Sequence, residues 1–331
     1  MGKINVAVIG TGAMGKNHAR IYSEIENAEL VAVCDENKET ANLIAGKYKI
    51  NGYGSYKEML KKESIDAVSV CVPTKLHKSV AIDAIRKKIN VLIEKPIATT
   101  IKEAKEIINE AEKHKIKAMV GHVERFNPVI IELKKRIERN ELGKIYKVHC
   151  VRLSPFPKRI IDVGVIVDLA IHEIDILRYI INSRIKRLYA ETAQRIHSTH
   201  EDLLIGTIRF ENGILGVINA NWLTPKKVRE MTITGEKGMF VANYQTQELF
   251  FYENEFARNN FSNSNFMSVI EGPMTKIKID SAEPLKNELE AFTQSIMKNK
   301  KVPVTCRDGL DALHIAQKFI ESAKKNKVVI L

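Results

Sequence analysis

The sequence predicts an α/β protein in two parts: a doubly wound parallel sheet over residues 1–122, then an α+β domain with a largely antiparallel sheet over 123–331. Three observations predict it. The apolar run Ile4–Ile9 breaks directly into the glycine-rich turn Gly10-x-Gly12-x-x-Gly15, the pattern of a buried strand entering a helix. Strand-like runs then alternate with helical stretches up to Gly121-His122, the signature of βαβ units. Beyond that point the rhythm changes to longer extended runs joined by hairpin-type turns.

The glycine turn has a physical reading. Gly10 allows the tight turn, Gly12 lets backbone approach a pyrophosphate, and Gly15 lets the next helix pack close to the strand. The N–H groups opening that helix, around Thr11, Ala13 and Met14, are then placed for phosphates. The motif is specific only in its setting, and the setting is present. Leu30–Cys34 is a second buried-strand pattern, and it ends in Asp35, twenty residues past Gly15, where an acid accepts hydrogen bonds from the adenosine ribose. The other reading is a tight turn without a ligand, closed by a helix-capping Asp35.

The remaining elements follow in order. Helices are predicted over 37–47 and Tyr56–Lys62, then a strand over Ala67–Val72 ended by Pro73-Thr74. A helix over 76–88 leads to the strand Asn90–Ile93 and to Glu94-Lys95-Pro96. The helix Ile101–His114 and the strand Lys117–Val120, stopped by Gly121-His122, complete the first part. In such sheets the ligand lies outside the carboxyl ends of the strands, where Pro73-Thr74, Glu94-Lys95-Pro96 and Gly121-His122 all fall. In the second part, helices are expected over Pro128–Arg139 and from about Val165 to Ile181. Extended runs are expected over Ile145–Leu153, Arg187–His197, Leu203–Phe210, Ile214–Ala220, Val228–Thr234 and Met239–Ala242. Asn254–Asn265 reads as a long loop, and two helices, near Leu285–Lys298 and Arg307–Lys324, close the chain and are expected to pack back on the first domain.

Composition excludes several classes. The 331 residues are 44% hydrophobic and 28% charged, ordinary for a globular protein, with no run of the length a membrane span needs. No signal peptide and no myristoylation site are read at the N-terminus. The four cysteines lie far apart without CxxC or zinc spacing, so no metal site is expected, Cys34 and Cys71 read as buried hydrophobes, and a reducing cytoplasm is the expected setting. The net charge of +12 is spread over many helical faces with no nucleic-acid-binding motif beside it. No nucleic-acid or membrane partner is therefore expected, and the charge favours an anionic small substrate.

Three stretches carry candidate chemistry. Pro96 stiffens the turn that presents Lys95, and a lysine so placed can stabilise a developing alkoxide; a plain surface Lys-Pro turn is the alternative. Asp168, His172 and Asp175 share one face of a helix, and a histidine held between carboxylates can act as a general base near neutral pH. A satisfied core histidine, or an acid–His face paired with lysines, explains the same spacing. His122-Val123-Glu124-Arg125-Phe126-Asn127-Pro128 crosses between the domains; its polar residues can line a cleft or form a hinge, with Asn127 capping and Pro128 in the first helical turn.

Together, the Gly10–Gly15 loop, Glu94-Lys95-Pro96, Gly121-His122 with Arg125-Phe126-Asn127-Pro128, Asp168-xxx-His172-xx-Asp175 and Gly235-Glu236-Lys237-Gly238 resemble the Gfo/Idh/MocA oxidoreductases over essentially the whole chain. The resemblance implies a Rossmann domain followed by an α/β substrate domain. It also implies NAD held by Gly10, Thr11, Gly12, Ala13, Met14, Gly15, Asp35, Pro73, Thr74, His77, Glu94 and Lys95. Lys95, Asp168 and His172 match the family's catalytic lysine, aspartate and histidine, and Lys95, His122, Arg125, Asn127, Arg159, Asp168 and His172 form the implied substrate set. Where many members have a Gly-Gly pair, this chain has Arg159 to Val165, and Pro155–Arg159 with Asp162–Val165 resembles the nucleotide-sugar branch. That branch implies oxidation of UDP-N-acetylglucosamine to its 3-keto sugar. A free-sugar or inositol dehydrogenase and a non-catalytic dinucleotide sensor are the alternatives. A homo-oligomer, dimer or tetramer, is implied by the family. Arg159, stiffened by two prolines, is expected on the diphosphate; an exposed arginine or a local pair with Asp162 is the competing reading.

Overall fold

The computed structural model describes residues 2–157, 163–258 and 267–331. They form two compact units, Met1–Val123 with Glu283–His314, and Glu124–Ala282 with Ile315–Leu331. Within the first, six strands, β1 (Ile4–Ile9), β2 (Ala28–Cys34), β3 (Asn51–Tyr53), β4 (Ala67–Val70), β5 (Asn90–Glu94) and β6 (Ala118–Gly121), form one sheet in the order β3-β2-β1-β4-β5-β6. Every pairing in it is parallel. Helices α1 (Ala13–Glu24), α2 (Lys38–Tyr48), α3 (Tyr56–Lys62), α4 (Thr74–Arg86) and α5 (Ile101–His114) alternate with the strands. The strand order reverses between β1 and β4, which makes the ends of these two strands the topological switch point.

Local chemistry explains these elements. Val6, Ala7, Val8, Val68 and Val70 are fully buried, as expected for strands covered on both faces. Asn37 caps α2 through Thr40 N–H, and Thr100 with Glu103 forms a capping box on α5, which satisfies donors left open at a helix start. The helix α8 (Pro284–Met297) and the first half of α9 (Cys306–Lys325) belong to this unit. Gly309 permits that packing, because a Cβ there would lie 2.8 Å from Val120.

The second unit is a nine-stranded sheet with helices. Asn127 caps α6 (Pro128–Glu138) through Val129 N–H. The strands are β7 (Ile145–Leu153), β8 (Ile185–Ala193), β9 (Leu203–Phe210), β10 (Leu215–Asn221), β11 (Val228–Gly235), β12 (Gly238–Asn243), β13 (Glu248–Arg258), β14 (Met267–Ile277) and β15 (Val329–Ile330). Their order is β14-β13-β12-β11-β7-β10-β9-β8-β15, and of these pairings only β7 with β10 is parallel. Helix α7 (Ile171–Ile181) is preceded by a π-helical turn, Ile166–Ala170.

Two expectations need correction. Asn254–Arg258 is strand rather than the start of a long loop: β13 runs through it, pairing with β14, and residues 259–266 lie outside the described part. Ladder pairing supplied by neighbouring strands overrides the low strand preference of its asparagine. The helix from Val165 is also not uniformly α, because its first turn is π-helical. Among the described residues no helix is long and apolar enough to cross a membrane, and no group of three or more His, Cys, Asp or Glu side chains is placed to hold a metal ion.

The turn between β8 and β9 is pinned by one carboxylate. Buried Asp202 accepts backbone N–H bonds from Arg195, Ile196 and His197 at 2.8, 2.5 and 3.0 Å. Burial pushes its pKa up, but these N–H donors outweigh burial and hold it below the ordinary value. A carboxyl with a depressed folded pKa stabilises above its unfolded pKa, and that contribution fades as the pH falls through the folded one. Asp202→Asn should therefore lower stability at pH 7, by about 1.5–3 kcal/mol for bonds to a charged acceptor. The difference from wild type should shrink in denaturant melts stepped down below about pH 4. A pH-independent difference would assign the effect to packing instead.

Candidate active site

The end of β1 is built from glycine. Gly10 has φ +90, and a Cβ on it would lie 2.6 Å from the Cys71 carbonyl. Gly15 has no room for a side chain, since a Cβ would sit 1.7 Å from Gly10 O. Gly12, by contrast, is exposed, with nothing within 4 Å of a Cβ position. Two glycines thus bring α1 against the strand, and the third leaves the approach to its first turn open. Ala13 and Met14 begin that helix.

Asp35 closes the same turn from the end of β2. Its Oδ2 accepts from Thr11 N at 2.7 Å and Thr11 Oγ1 at 2.9 Å, and its Oδ1 from Asn37 N at 3.0 Å. The helix that follows is capped by Asn37, so Asp35 is not the capping residue. A half-buried carboxylate is held beside the glycine loop, with acceptor capacity beyond these three bonds. This is the pairing a dinucleotide requires, pyrophosphate on the helix start and ribose on the acid. The residues present fit that group.

Behind the loop runs a buried polar chain. Tyr22 Oη lies 2.8 Å from Ser69 Oγ, Ser69 Oγ 3.0 Å from His18 Nδ1, and His18 Nε2 donates to Glu94 Oε1 at 2.9 Å. Glu94 Oε2 accepts the Lys95 N–H at 3.2 Å. Burial pushes the Glu94 carboxyl up, but His18 and, more weakly, Lys95 bring it below the ordinary value. Glu94 is therefore an anion that fixes the turn at the end of β5. His77 fixes the same turn from α4, its ring nitrogens each 2.9 Å from a carbonyl, Pro96 O and Val72 O. It thereby ties the Val72–Pro73 turn to Lys95–Pro96, a cis peptide, and burial holds its pKa below the ordinary histidine value. Thr74 opens α4, with Pro73 before it. Lys95 is half-buried and His122 is 1% exposed.

In the second unit, helix α7 carries His172, buried, and the π-helical turn before it carries Asp168, half-buried. Two further acids of this helix, Asp175 and Glu173, hold it in place. Arg125 binds Asp175 through two bonds, Nε to Oδ2 at 2.8 Å and Nη2 to Oδ1 at 2.6 Å, and stacks on Tyr179 at 4.8 Å. Arg152 donates to Glu173 Oε1 and Glu124 Oε1, both at 2.7 Å, and Tyr244 Oη donates to Glu173 Oε2 at 3.1 Å. Burial pushes the Glu173 carboxyl up, and Arg152 opposes it. Asn127 Nδ2 reaches Tyr244 O at 3.0 Å and Glu124 Oε2 at 3.3 Å. Of the residues expected at the substrate, Arg125 clamps α7 through Asp175 and Asn127 caps α6; Arg159 lies outside the described residues.

Sequence reading passed over Arg152 and Glu173 and gave Glu124 no role of its own in the His122–Pro128 crossing. A signal existed: Val148, Cys150 and Arg152 alternate on the buried face of β7, so an arginine occupies a position the period-two pattern reserves for apolar residues.

A parallel sheet with a glycine loop and an acid at its switch point defines a dinucleotide-binding protein. The family model described as "Oxidoreductase family, NAD-binding Rossmann fold" matches residues 4–122, and the "GFO/IDH/MocA C-terminal domain" matches 130–241. The chain belongs to the Gfo/Idh/MocA oxidoreductases, and its cofactor is NAD. It is 26% identical over 317 residues to the UDP-N-acetylglucosamine 3-dehydrogenase of Acidithiobacillus ferrooxidans, covering 93% of this chain and 92% of that one. It is 25% identical over 251 residues to the myo-inositol 2-dehydrogenase of Thermotoga maritima, covering 72% and 75%. The crystal structure of the A. ferrooxidans enzyme superposes with a TM-score of 0.85 at 24% identity, over 98% of this chain and 99% of that chain.

Gly15→Ala should cripple the cofactor loop, because the new methyl group meets backbone at 1.7 Å and helix α1 must move away from the strand. NADH titration followed by nicotinamide fluorescence should show at least tenfold weaker binding together with a lower melting temperature. Unchanged affinity and melting would mean that α1 does not need this close approach.

Proposed function

We propose that the protein oxidises a sugar hydroxyl to a ketone with NAD, and that the sugar is carried on a nucleotide, UDP-N-acetylglucosamine becoming the UDP-3-keto sugar. The observation that carries the dehydrogenase reading is the mounting of α7. Glu173 and Asp175, on either side of the histidine, bind Arg152 and Arg125, which locks the helix that carries His172, directly after the turn that carries Asp168. The nucleotide sugar is supported by the similarity to the UDP-N-acetylglucosamine 3-dehydrogenase along nearly the full length of both chains.

In this reading His172 takes the hydroxyl proton, and Asp168 orients and balances the imidazolium that results. Lys95, held by the Glu94 turn, stabilises negative charge developing on the oxygen. NAD, when bound, accepts the hydride from the same carbon. Gly10, Thr11, Gly12, Ala13, Met14 and Gly15 hold its pyrophosphate, Asp35 its ribose, and Pro73 and Thr74 border it; His77 and Glu94 act through the turns they fix. A carboxylate at the ribose repels a 2′-phosphate, so NAD is preferred over NADP. Substrate is met by Lys95, His122, Asp168 and His172. The outer face of β9 and β10, where Ile205 and Leu215 are exposed, supports self-association as a dimer or tetramer, and the four free cysteines suit a cytoplasmic enzyme.

The test is a panel of UDP-sugars, free sugars and inositols with NAD and NADP, read by absorbance of the reduced nicotinamide. UDP-N-acetylglucosamine with NAD should give the highest kcat/KM. His172→Ala should lower kcat by about 10²–10⁴-fold, the usual size of general acid–base catalysis, with NADH affinity unchanged. Turnover of inositol or a free sugar alone would replace the nucleotide-sugar reading. Binding of NADH without turnover of any member would point to a sensor.

A further inference from the structure

Arg229 opens β11 one residue in from its start, directly across the ladder from Arg152. Residues directly opposite in an antiparallel pair share a face, so Arg229 stands on the side of the sheet where Arg152 meets Glu173 of α7. Met231 and Ile233, on the same face of the strand, are fully buried. Two guanidinium groups side by side repel one another, and the local carboxylates do not serve them equally. Glu173 is taken by Arg152 and Tyr244, and Glu124 by Arg152 and Asn127. The side chain of Arg229 is half-buried, and its buried Nη1 has no hydrogen-bond partner among the described residues.

A cation with a buried, unpartnered N–H group is costly, and an anion that bonds to it removes that cost. Burial and then Arg152 lower the pKa of Arg229, to about 10, while Glu124, Glu173 and Asp168 favour its charged form. At neutral pH it remains a cation, and Asp168 is the residue assigned above to the proton-transfer step. The strand is entered through exposed Lys226 and Lys227, so three cations fall within four positions. A planar fork of this kind is suited to paired phosphate oxygens.

We infer that Arg229 binds the diphosphate of the nucleotide sugar and is the residue that selects an anionic substrate over a neutral polyol. The inference rests on the nucleotide-sugar reading and deepens it. It also gives Arg152 a second consequence: by monopolising both carboxylates, it keeps the neighbouring guanidinium available for substrate.

The experiment titrates the full-length protein, saturated with NADH, with UDP and with UDP-N-acetylglucosamine in a calorimeter, for wild type, Arg229→Gln and Arg229→Lys. Arg229→Gln should weaken both ligands about ten- to a hundredfold, the effect of losing a charge-assisted bidentate contact. Arg229→Lys should recover part of that loss, since it keeps the charge and not the fork. NADH affinity should not move, and the melting temperature of Arg229→Gln should stay level or rise, because the cation facing buried Arg152 has gone. With saturating NAD and varied UDP-sugar, KM should rise far more than kcat falls. Equal affinity of wild type and Arg229→Gln for UDP would overturn the inference and leave the nucleotide-sugar reading standing. A melting temperature and NADH affinity that fall together with UDP affinity, in both variants, would make Arg229 a structural residue and overturn it as well. A wild-type protein that binds neither UDP nor the UDP-sugar, yet oxidises a free sugar or inositol, would remove the nucleotide-sugar reading and this inference with it.

Discussion

The second unit depends on one buried cation. Arg152 is 4% exposed and is held charged by two carboxylates, Glu124 and Glu173, against the burial that would lower its pKa. Taking such ions out of water costs several kcal/mol each, and only close geometry with further hydrogen bonds offsets that. The bonds are present: 2.7 Å to each acid, with Tyr244 completing Glu173. Removal of one member strands the others, which typically costs about 3–5 kcal/mol. Replacing the whole set with apolar residues need not destabilise the fold. What would be lost is direction, because a hydrophobic contact tolerates rotation of α7 and a set of directed charge-assisted bonds does not.

That requirement explains the arrangement of the segment before α6. Glu124 and Arg125 lie in a short 3-10 turn, and they reach different partners, Arg152 on β7 and Asp175 on α7. Asn127 then caps α6 and bonds to Tyr244 O. Three residues within four positions thus fix a strand, a helix, a loop and the next helix start. The π-helical turn at Ile166–Ala170 adds a residue just before the helix, the kind of local irregularity that recurs at functional positions.

The first unit solves a related problem with different groups. The turn carrying Lys95 must be rigid, yet it lies at a strand end where backbone is least constrained. Glu94, His18, Ser69 and Tyr22 form a buried hydrogen-bonded chain beneath it, and His77 spans from α4 to Pro96 O. Gly121 contributes by absence, since a Cβ there would press on the Glu94 carboxylate at 3.1 Å. Both histidines support this turn, His18 through Glu94 and His77 through its place between Pro96 O and Val72 O.

The sequence by itself determined whatever depends on neighbours along the chain. Gly10, Gly12, Gly15 and Asp35 announced the dinucleotide turn, because a strand, a tight turn and a helix start are local geometry. The alternation of strand and helix to Gly121 determined the parallel sheet, and the grouped extended runs the largely antiparallel one. Asp168 and His172 were read together from helical spacing, which did not reveal that Asp168 sits in a π-helical turn. Tertiary structure alone decided the rest. Asn254–Arg258 became strand because β14 pairs with it, a partner that no local preference encodes. Asp175, indistinguishable from Asp168 by spacing, was assigned to Arg125 by a contact across fifty positions of chain. Arg152 and Arg229 lie seventy-seven positions apart, and only the register of β7 against β11 sets them side by side. Charges interact through space, and a sequence records the order of its charges without their distances.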